Sequence, residues 1–314
     1  MKTKQFIFII LAIIFLGCSK EKQTNRAAVK MQDFVVNIAQ YARSFDSDFI
    51  IVPQNGVELA FQDLDPNEGE HPAYMLAVNG FGVEELFYKG GYSPDYERLA
   101  LLRKLQKSRK ILVSEYVGND ADIADALHRN YSEGFICFPR SNDNYNYLKI
   151  PDTIPYPNSM DILTLSQAQN YLYFIDTEFF LSRGGVIDAI ARTDFDLIII
   201  DLFFNETEWT AEEINQLKRK ANGGQRIVLS YINIGAAEKC RYYWQGDWYQ
   251  HLPSWMKKEY EGYHDEYWVE FWDPEWQKII YGNDHSYIKK IIDAGFDGAY
   301  LDNVEAYYFL YHDE

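Results

Sequence analysis

Eight short apolar runs recur along the chain, and most of the gaps between them carry amphipathic helical patterns. The runs are "FIIVPQNG" (49–56), "YMLAVNG" (74–80), "KILVSEYVG" (110–118), "GFICFP" (134–139), "YLYFID" (171–176), "DLIIIDLFF" (196–204), "IVLSYINIG" (227–235) and "GAYLD" (298–302). They are continuous rather than alternating, which marks strands covered on both faces, and alternation with helices then calls for a parallel sheet. Helical spacing is clearest over 95–108, 120–131, 179–192, 210–221 and 274–294, the fourth opening on a Thr-Ala-Glu-Glu capping signal. Eight such strands predict an α/β fold of the closed (β/α)8 TIM-barrel type. A doubly wound open sheet would bring a glycine-rich phosphate turn after an early strand, and neither G-x-G-x-x-G nor a Walker loop occurs.

The N-terminus reads differently. Lys2 and Lys4 precede an unbroken apolar run from Phe6 to Leu16, too short to span a bilayer as a helix and typical of a signal peptide. The run ends in Phe15, Leu16, Gly17 and Cys18, which resembles the lipobox of bacterial lipoproteins, the alternative being an ordinary secretory signal in which Cys18 is incidental. On the lipobox reading, residues 1–17 are removed, Cys18 carries lipid, 18–26 form a polar tether, and the product is exported and lipid-anchored at the bacterial cell envelope. Apolar residues at helical spacing (Val29, Phe34, Val35, Ile38, Ala39) mark where the fold begins, so 27–314 form one domain. Only Cys137 and Cys240 then remain, too few for a disulfide framework, and stability must come from a core.

Charge and aromatic content narrow the function. With 30 Lys and Arg against 47 Asp and Glu, the net charge of −17 argues against nucleic acid as a partner. Active sites of the barrel fold lie where strands end, and polar residues cluster there: Gln54, Asn55, Asn79, Glu84, Asp201, Tyr231, Asn233, Glu238, Arg241, Asp302 and Asn303. Any one could merely cap a helix, but a ring of converging acids is electrostatically unfavourable without a task. Trp244, Trp248, Trp255, Trp268, Trp272 and Trp276 lie in one tyrosine-rich stretch. Aromatic faces beside carboxylates suit sugar rings, which makes Trp244, Trp248 and Trp272 candidates for stacking on substrate; the alternative is an apolar cluster under a long loop.

The segments "SYINIGAAEKCRYYW", "EFWDPEWQKII" and "IIDAGFDGAYLDNVEAYYF" are similar to segments of the endo-α-1,4-polygalactosaminidase family, glycoside hydrolase family 114. "KMQDFVVNIAQYAR", "DFIIVPQNG", "VEELFYKGG" and "KILVSEYVG" look like the second half of the same barrel, in inverted order. The resemblance implies a circular permutation: 27–140 would be the family's second half, 141–163 a linker joining the old ends, and 164–314 the first half. It also implies hydrolysis of α-linked galactosamine polymers with Asp302 of "LDN" and Glu84 of "VEELF" sharing acid and base work. Asp201, Glu238 and Arg241 match family positions and would orient substrate, while Glu305 stands where the commoner motif "DNVDAY" has Asp. Glycosidic cleavage needs a protonated acid and an ionised partner. No H-E-x-x-H or paired-cysteine motif occurs, so neither a metal nor another cofactor is expected. The expected partners are a polysaccharide, and a membrane only through the lipid, with the protein a monomer. A catalytically silent sugar-binding lipoprotein is the alternative, which retention of both Asp302 and Glu84 disfavours.

Overall fold

The computed structural model describes residues 3–141, 145 and 147–312, with side chains described from Lys20 onward. Helix α1 (Thr3–Arg43) leads into β1 (Ile50–Pro53), followed by α2 (Pro72–Ala77), β2 (Gly80–Tyr92), α3 (Tyr96–Leu105), β3 (Lys110–Val117), α4 (Ile123–Ser132) and β4 (Ile136–Arg140). Beyond 141–163 come β5 (Tyr171–Tyr173), α5 (Arg183–Ala191), β6 (Leu197–Asp201), a small hairpin of β7 (Phe203–Phe204) and β8 (Thr207–Glu208), α6 (Ala211–Leu217) and β9 (Ile227–Asn233). The chain then runs through β10 (Ala236–Glu238), a hairpin of β11 (Met256–Tyr260) and β12 (Tyr263–Val269), α7 (Pro274–Ile280), α8 (Tyr287–Asp293), β13 (Gly298–Asp302) and α9 (Ala306–Phe309).

Parallel pairing orders one sheet β1-β13-β9-β6-β5 and another β2-β3-β4. The two meet where Gln54 bridges Gly82: Asn55 N donates to Gly82 O at 2.7 Å and Asn79 N to Ile51 O at 2.8 Å. At the other end of the order, the ring of Phe138 in β4 lies 5.8 Å from that of Tyr171 in β5. Every residue of β1, β6 and β9 is buried, as continuous apolar runs require, because helices cover the outer face and side chains fill the inner one. Tyr300 occupies that interior against Gly82, where a Cβ would stand 1.9 Å from the phenol oxygen, so only glycine admits it. Register brings chemistry together at the strands' C-terminal ends: Asp302 is level with Asn233, Asp201 with Tyr231, and Glu84 with Ser114.

Three elements differ from the sequence reading. The run 74–80 was expected as a strand, yet most of it is α2, because Pro72 starts a helix and His71 caps it through Nδ1, which accepts Tyr74 N at 3.1 Å. The strand begins instead at Gly80, which moves Asn79 to its N-terminal end, where the side-chain carbonyl accepts Ile51 N and an Arg43 amino group, both at 2.9 Å. Asn79 is thus a brace far from the strand end that bears Glu84. The helix expected over 274–294 is split into α7 and α8, since Tyr281 is extended and Gly282 adopts φ 98°.

Helix α1 is continuous through the 18–26 stretch read as a tether, and Thr24 is buried there with its hydroxyl 3.0 Å from His312 Nε2. Further on it packs against α2, α8 and α9, burying Phe34, Val35, Ile38 and Ala39 while Val29 stays exposed. The side chains of the signal-like run and of Cys18 lie outside the described residues, and among those described no helix is long and apolar enough to cross a membrane. The segment 141–163 is fastened to the sheet. Lys220 and Asp196 form a fully buried ion pair at 2.7 Å, and Asn158 donates to Asp196 at 2.8 Å while accepting from Lys220 at 3.2 Å.

Candidate active site

The C-terminal strand ends surround a cleft of about 950 Å³ lined by Gln54, Asn55, Glu84, Asp201, Tyr231, Glu238, Arg241, Asp302 and Asn303 among others. Its floor is built around Glu84. Backbone pairing of β2 with β3 shifts just beyond this residue, and Glu85 takes the left-handed φ of 56° that turns the chain out of register. The buried carboxylate of Glu115 fills the gap, accepting the N–H groups of Phe87 and Tyr88 at 3.0 Å each. Glu84 Oε2 accepts from Gln54 Nε2 at 2.7 Å and Oε1 from the hydroxyl of Tyr147, whose ring stacks on Tyr173 with centroids 3.8 Å apart. The Tyr173 hydroxyl donates to Gln54 Oε1 at 2.8 Å, closing the circuit. Glu85 is held separately, by Arg140 at 2.6 Å and the Tyr145 hydroxyl at 2.8 Å.

Asp302 is clamped at both oxygens, Oδ2 accepting from the Tyr231 hydroxyl at 2.6 Å and Oδ1 from Asn303 N at 2.8 Å. Arg241 is consumed by its own partners: one amino group meets Asp201 at 2.7 Å, and Nε meets Glu238 at 2.8 Å. The β11–β12 hairpin adds Tyr260, Tyr263 and Glu266 to the lining.

Burial pushes Glu84 up to about 7, and the nearby charge of Asp302 adds to the effect, while the Tyr147 hydrogen bond and Arg140 oppose it. Asp302 is also raised by burial, but its two donors restrain the rise to about 6. Glu305, half-buried, is pushed up to about 8 by desolvation and by the charge of Glu58. Glu266 is raised by burial and by the neighbouring Glu238 and Asp302, so it holds its proton at neutral pH. Two carboxyls with staggered ionisation at strand ends can divide acid and base roles. Among the described residues no group of three or more His, Cys, Asp or Glu is placed to hold a metal ion.

Glycoside-hydrolase family GH114 matches the chain over residues 161–314. This segment belongs to family GH114. An uncharacterized protein of Methanocaldococcus jannaschii is 37% identical over 153 residues, covering 48% of this chain and 41% of the relative. Uncharacterized proteins of Thermotoga maritima and Deinococcus radiodurans are 31% and 33% identical over 118 and 122 residues, each covering 38% of this chain and 35% and 37% of the relative. The chain thus spans less than half the length of these curated relatives.

The GH114 segment supplies Asp201, Tyr231, Glu238, Arg241, Glu266, Asp302 and Asn303, whereas Gln54, Asn55, Glu84 and Tyr147 come from outside it. The tryptophans expected to stack on substrate are elsewhere. Trp248 is buried between Trp244 at 5.5 Å and Trp255 at 5.3 Å, both edge-on, and a tilted contact carries the chain of rings on to Trp276. Trp272 packs on Phe271 and under Lys30, whose ammonium sits 3.8 Å from the ring. This is the apolar cluster under a loop: large rings in a short stretch bury each other before they reach a cleft. Tyrosines take the cleft instead. Tyr260, Tyr263 and Glu266 had one signal, a Glu261-Gly262 turn with a tyrosine on each side of it. Tyr145 and Tyr147 had none, since they sit in an aperiodic stretch.

Proposed function

We propose that this protein is a lipid-anchored glycoside hydrolase that cleaves an α-linked amino-sugar polysaccharide, with Glu84 as proton donor and Asp302 as its ionised partner. The observation that carries the reading is the geometry of the pair: Glu84 and Asp302 face one cleft from strand ends, burial raises both, and the two donors clamped on Asp302 favour its charged form, so one acid and one base fit the same site. Glu84 gives its proton to the leaving glycosidic oxygen. Asp302 meets the positive charge developing at the anomeric carbon, by direct attack or through a water, and the product's anomeric configuration distinguishes the two.

An amino-sugar polymer fits the lining: leaving out Glu84, Glu266 and Glu305, which burial pushes toward the neutral form, seven carboxyl side chains still face three cationic ones among the described residues, a field that concentrates a polycation. The proposed architecture is a closed eight-stranded barrel, circularly permuted relative to the family. The strand order and the Gln54–Gly82 bridge support closure, and the packing of α1 against α8 and α9 supports a permutation that joins the old neighbours through space. Export and lipid attachment at Cys18 rest on the sequence; Cys18→Ala should release the protein from membranes.

The test is reducing-end release from deacetylated galactosamine polymer by the soluble form lacking residues 1–18. Glu84→Gln and Asp302→Asn should each abolish most turnover while leaving polymer binding intact. Binding without turnover in the unsubstituted protein would establish the silent sugar-binding lipoprotein instead.

A further inference from the structure

The Tyr147 hydroxyl lies between two groups: Glu84 Oε1 and, at 2.8 Å, the hydroxyl of Ser114, and in the second contact either oxygen can be the donor. Both Tyr147 and Ser114 are buried, at 4% and 0% exposure, so their contact lies behind the cleft wall rather than in open solvent. The ring cannot swing away, because it is stacked on Tyr173 at an interplanar angle of 16°. Gln54 is placed with its amide nitrogen toward Glu84 Oε2 and its carbonyl toward the Tyr173 hydroxyl, and so presents Oε2 with a donor. In this arrangement a proton on Oε1 has the Tyr147 oxygen as its buried acceptor among the described residues.

We propose that Tyr147 and Ser114 form a reversible hydrogen-bond relay that fixes Glu84 in both of its protonation states, making the segment 141–163 part of the active site. With Glu84 ionised, Ser114 donates to Tyr147 and Tyr147 donates to Oε1. When a proton from the cleft settles on Oε1, it is donated to the Tyr147 oxygen, and Tyr147 turns its own hydrogen to Ser114. Neither hydroxyl gives up its proton; only two rotations occur, and the carboxyl stays in place as its proton comes and goes. Tyr147 is a positioning residue, supplied from outside the GH114 segment.

The proposal rests on the acid role of Glu84, but its test needs no substrate. In protein labelled with side-chain ¹³C-glutamate, the Glu84 carboxyl signal is assigned by its loss in Glu84→Gln and titrated in the soluble form. Tyr147→Phe keeps the stacked ring and deletes the donor to the charged form, so the titration should move to higher pH by about tenfold in the ionisation constant. Ser114→Ala leaves Tyr147 no acceptor except Glu84, so it should move the titration the other way, by about threefold.

The other groups facing Glu84 are common to all variants. They are Asp302 from β13, Arg140 from β4, Glu85 beside it, Glu305 before α9, and the phenols of Tyr145, Tyr171, Tyr173, Tyr263 and Tyr300. Shifts of one sign in both variants, or no shift in either, would overturn the relay, and each sign can be read alone should one variant fail to fold. Opposite shifts in a protein inactive on every amino-sugar polymer would keep the relay and remove the hydrolase reading.

Discussion

Replacing Glu84 with glutamine should stabilise the protein, and only at the upper end of the pH range. Burial holds the folded-state carboxyl at about 7 against its ordinary 4.5, so folding favours the protonated form. Below pH 4.5 both states carry the proton and stability is unaffected. Between 4.5 and 7 the unfolded chain releases it while the folded one retains it, and stability falls steadily; above 7 the loss is complete. Its size is at most about 3 kcal/mol, less whatever the cleft's residual water screens. Glutamine reproduces the protonated state: its carbonyl can accept from Gln54, and its amide can donate to Tyr147, which then turns to Ser114. Glu84→Gln should thus match the parent near pH 4.5 and melt higher above pH 8, by about 5 °C for a chain of this size. Thermal unfolding followed by circular dichroism from pH 4 to 9 reads the difference. A constant offset across that range, or a variant less stable at pH 9, would refute the assignment of a buried, proton-holding carboxyl.

The same pair sets the activity profile: kcat/KM should be bell-shaped with its maximum between pH 6 and 7, the limbs belonging to the coupled Asp302 and Glu84, and a rate still climbing at pH 9 would exclude Glu84 as the acid. Trp248→Ala should lower stability by about 3–5 kcal/mol in urea titrations while leaving KM unchanged; a raised KM without lost stability would put the ring back in the cleft. Lys220→Met strips Asp196 of its buried cation and should cost about 3–5 kcal/mol and speed proteolysis within 141–163, whereas a loss under about 1 kcal/mol would mean the ion pair does not fasten that segment.

Strands that are buried on both faces announce themselves, and among the described residues seven of the eight parallel strands stand where continuous apolar runs placed them. The eighth, β2, was displaced because its glycines Gly80 and Gly82 weaken the apolar signal, while Pro72 and His71 turned the preceding run into a helix. Polar residues at strand ends were legible as a set for the same reason, since parallel strands present one edge. What no local pattern carries is which way an aromatic ring faces. Trp248 and Tyr147 both lie in irregular segments; one fell inward on other tryptophans, and the other crossed the cleft to Glu84, 63 positions away in the chain. The contact that decides the second is long-range, so composition could only mark 141–163 as irregular.

Helix α1 runs downward from the cleft side of the molecule. Thr24, near the start of its described side chains, meets His312, which follows α9 beyond the strand that ends in Asp302, and its last residue, Arg43, reaches the backbone carbonyls of Leu76 and Ala77 at the opposite rim. An anchor at Cys18 would therefore leave from the same side as the opening. With about 1.5 Å of rise per residue, the six residues from Cys18 to the buried Thr24 would set a standoff of roughly 9 Å. A cleft tethered that way would look toward the surface it hung from, and the chains within its reach would be those lying close against that surface rather than those passing in the medium.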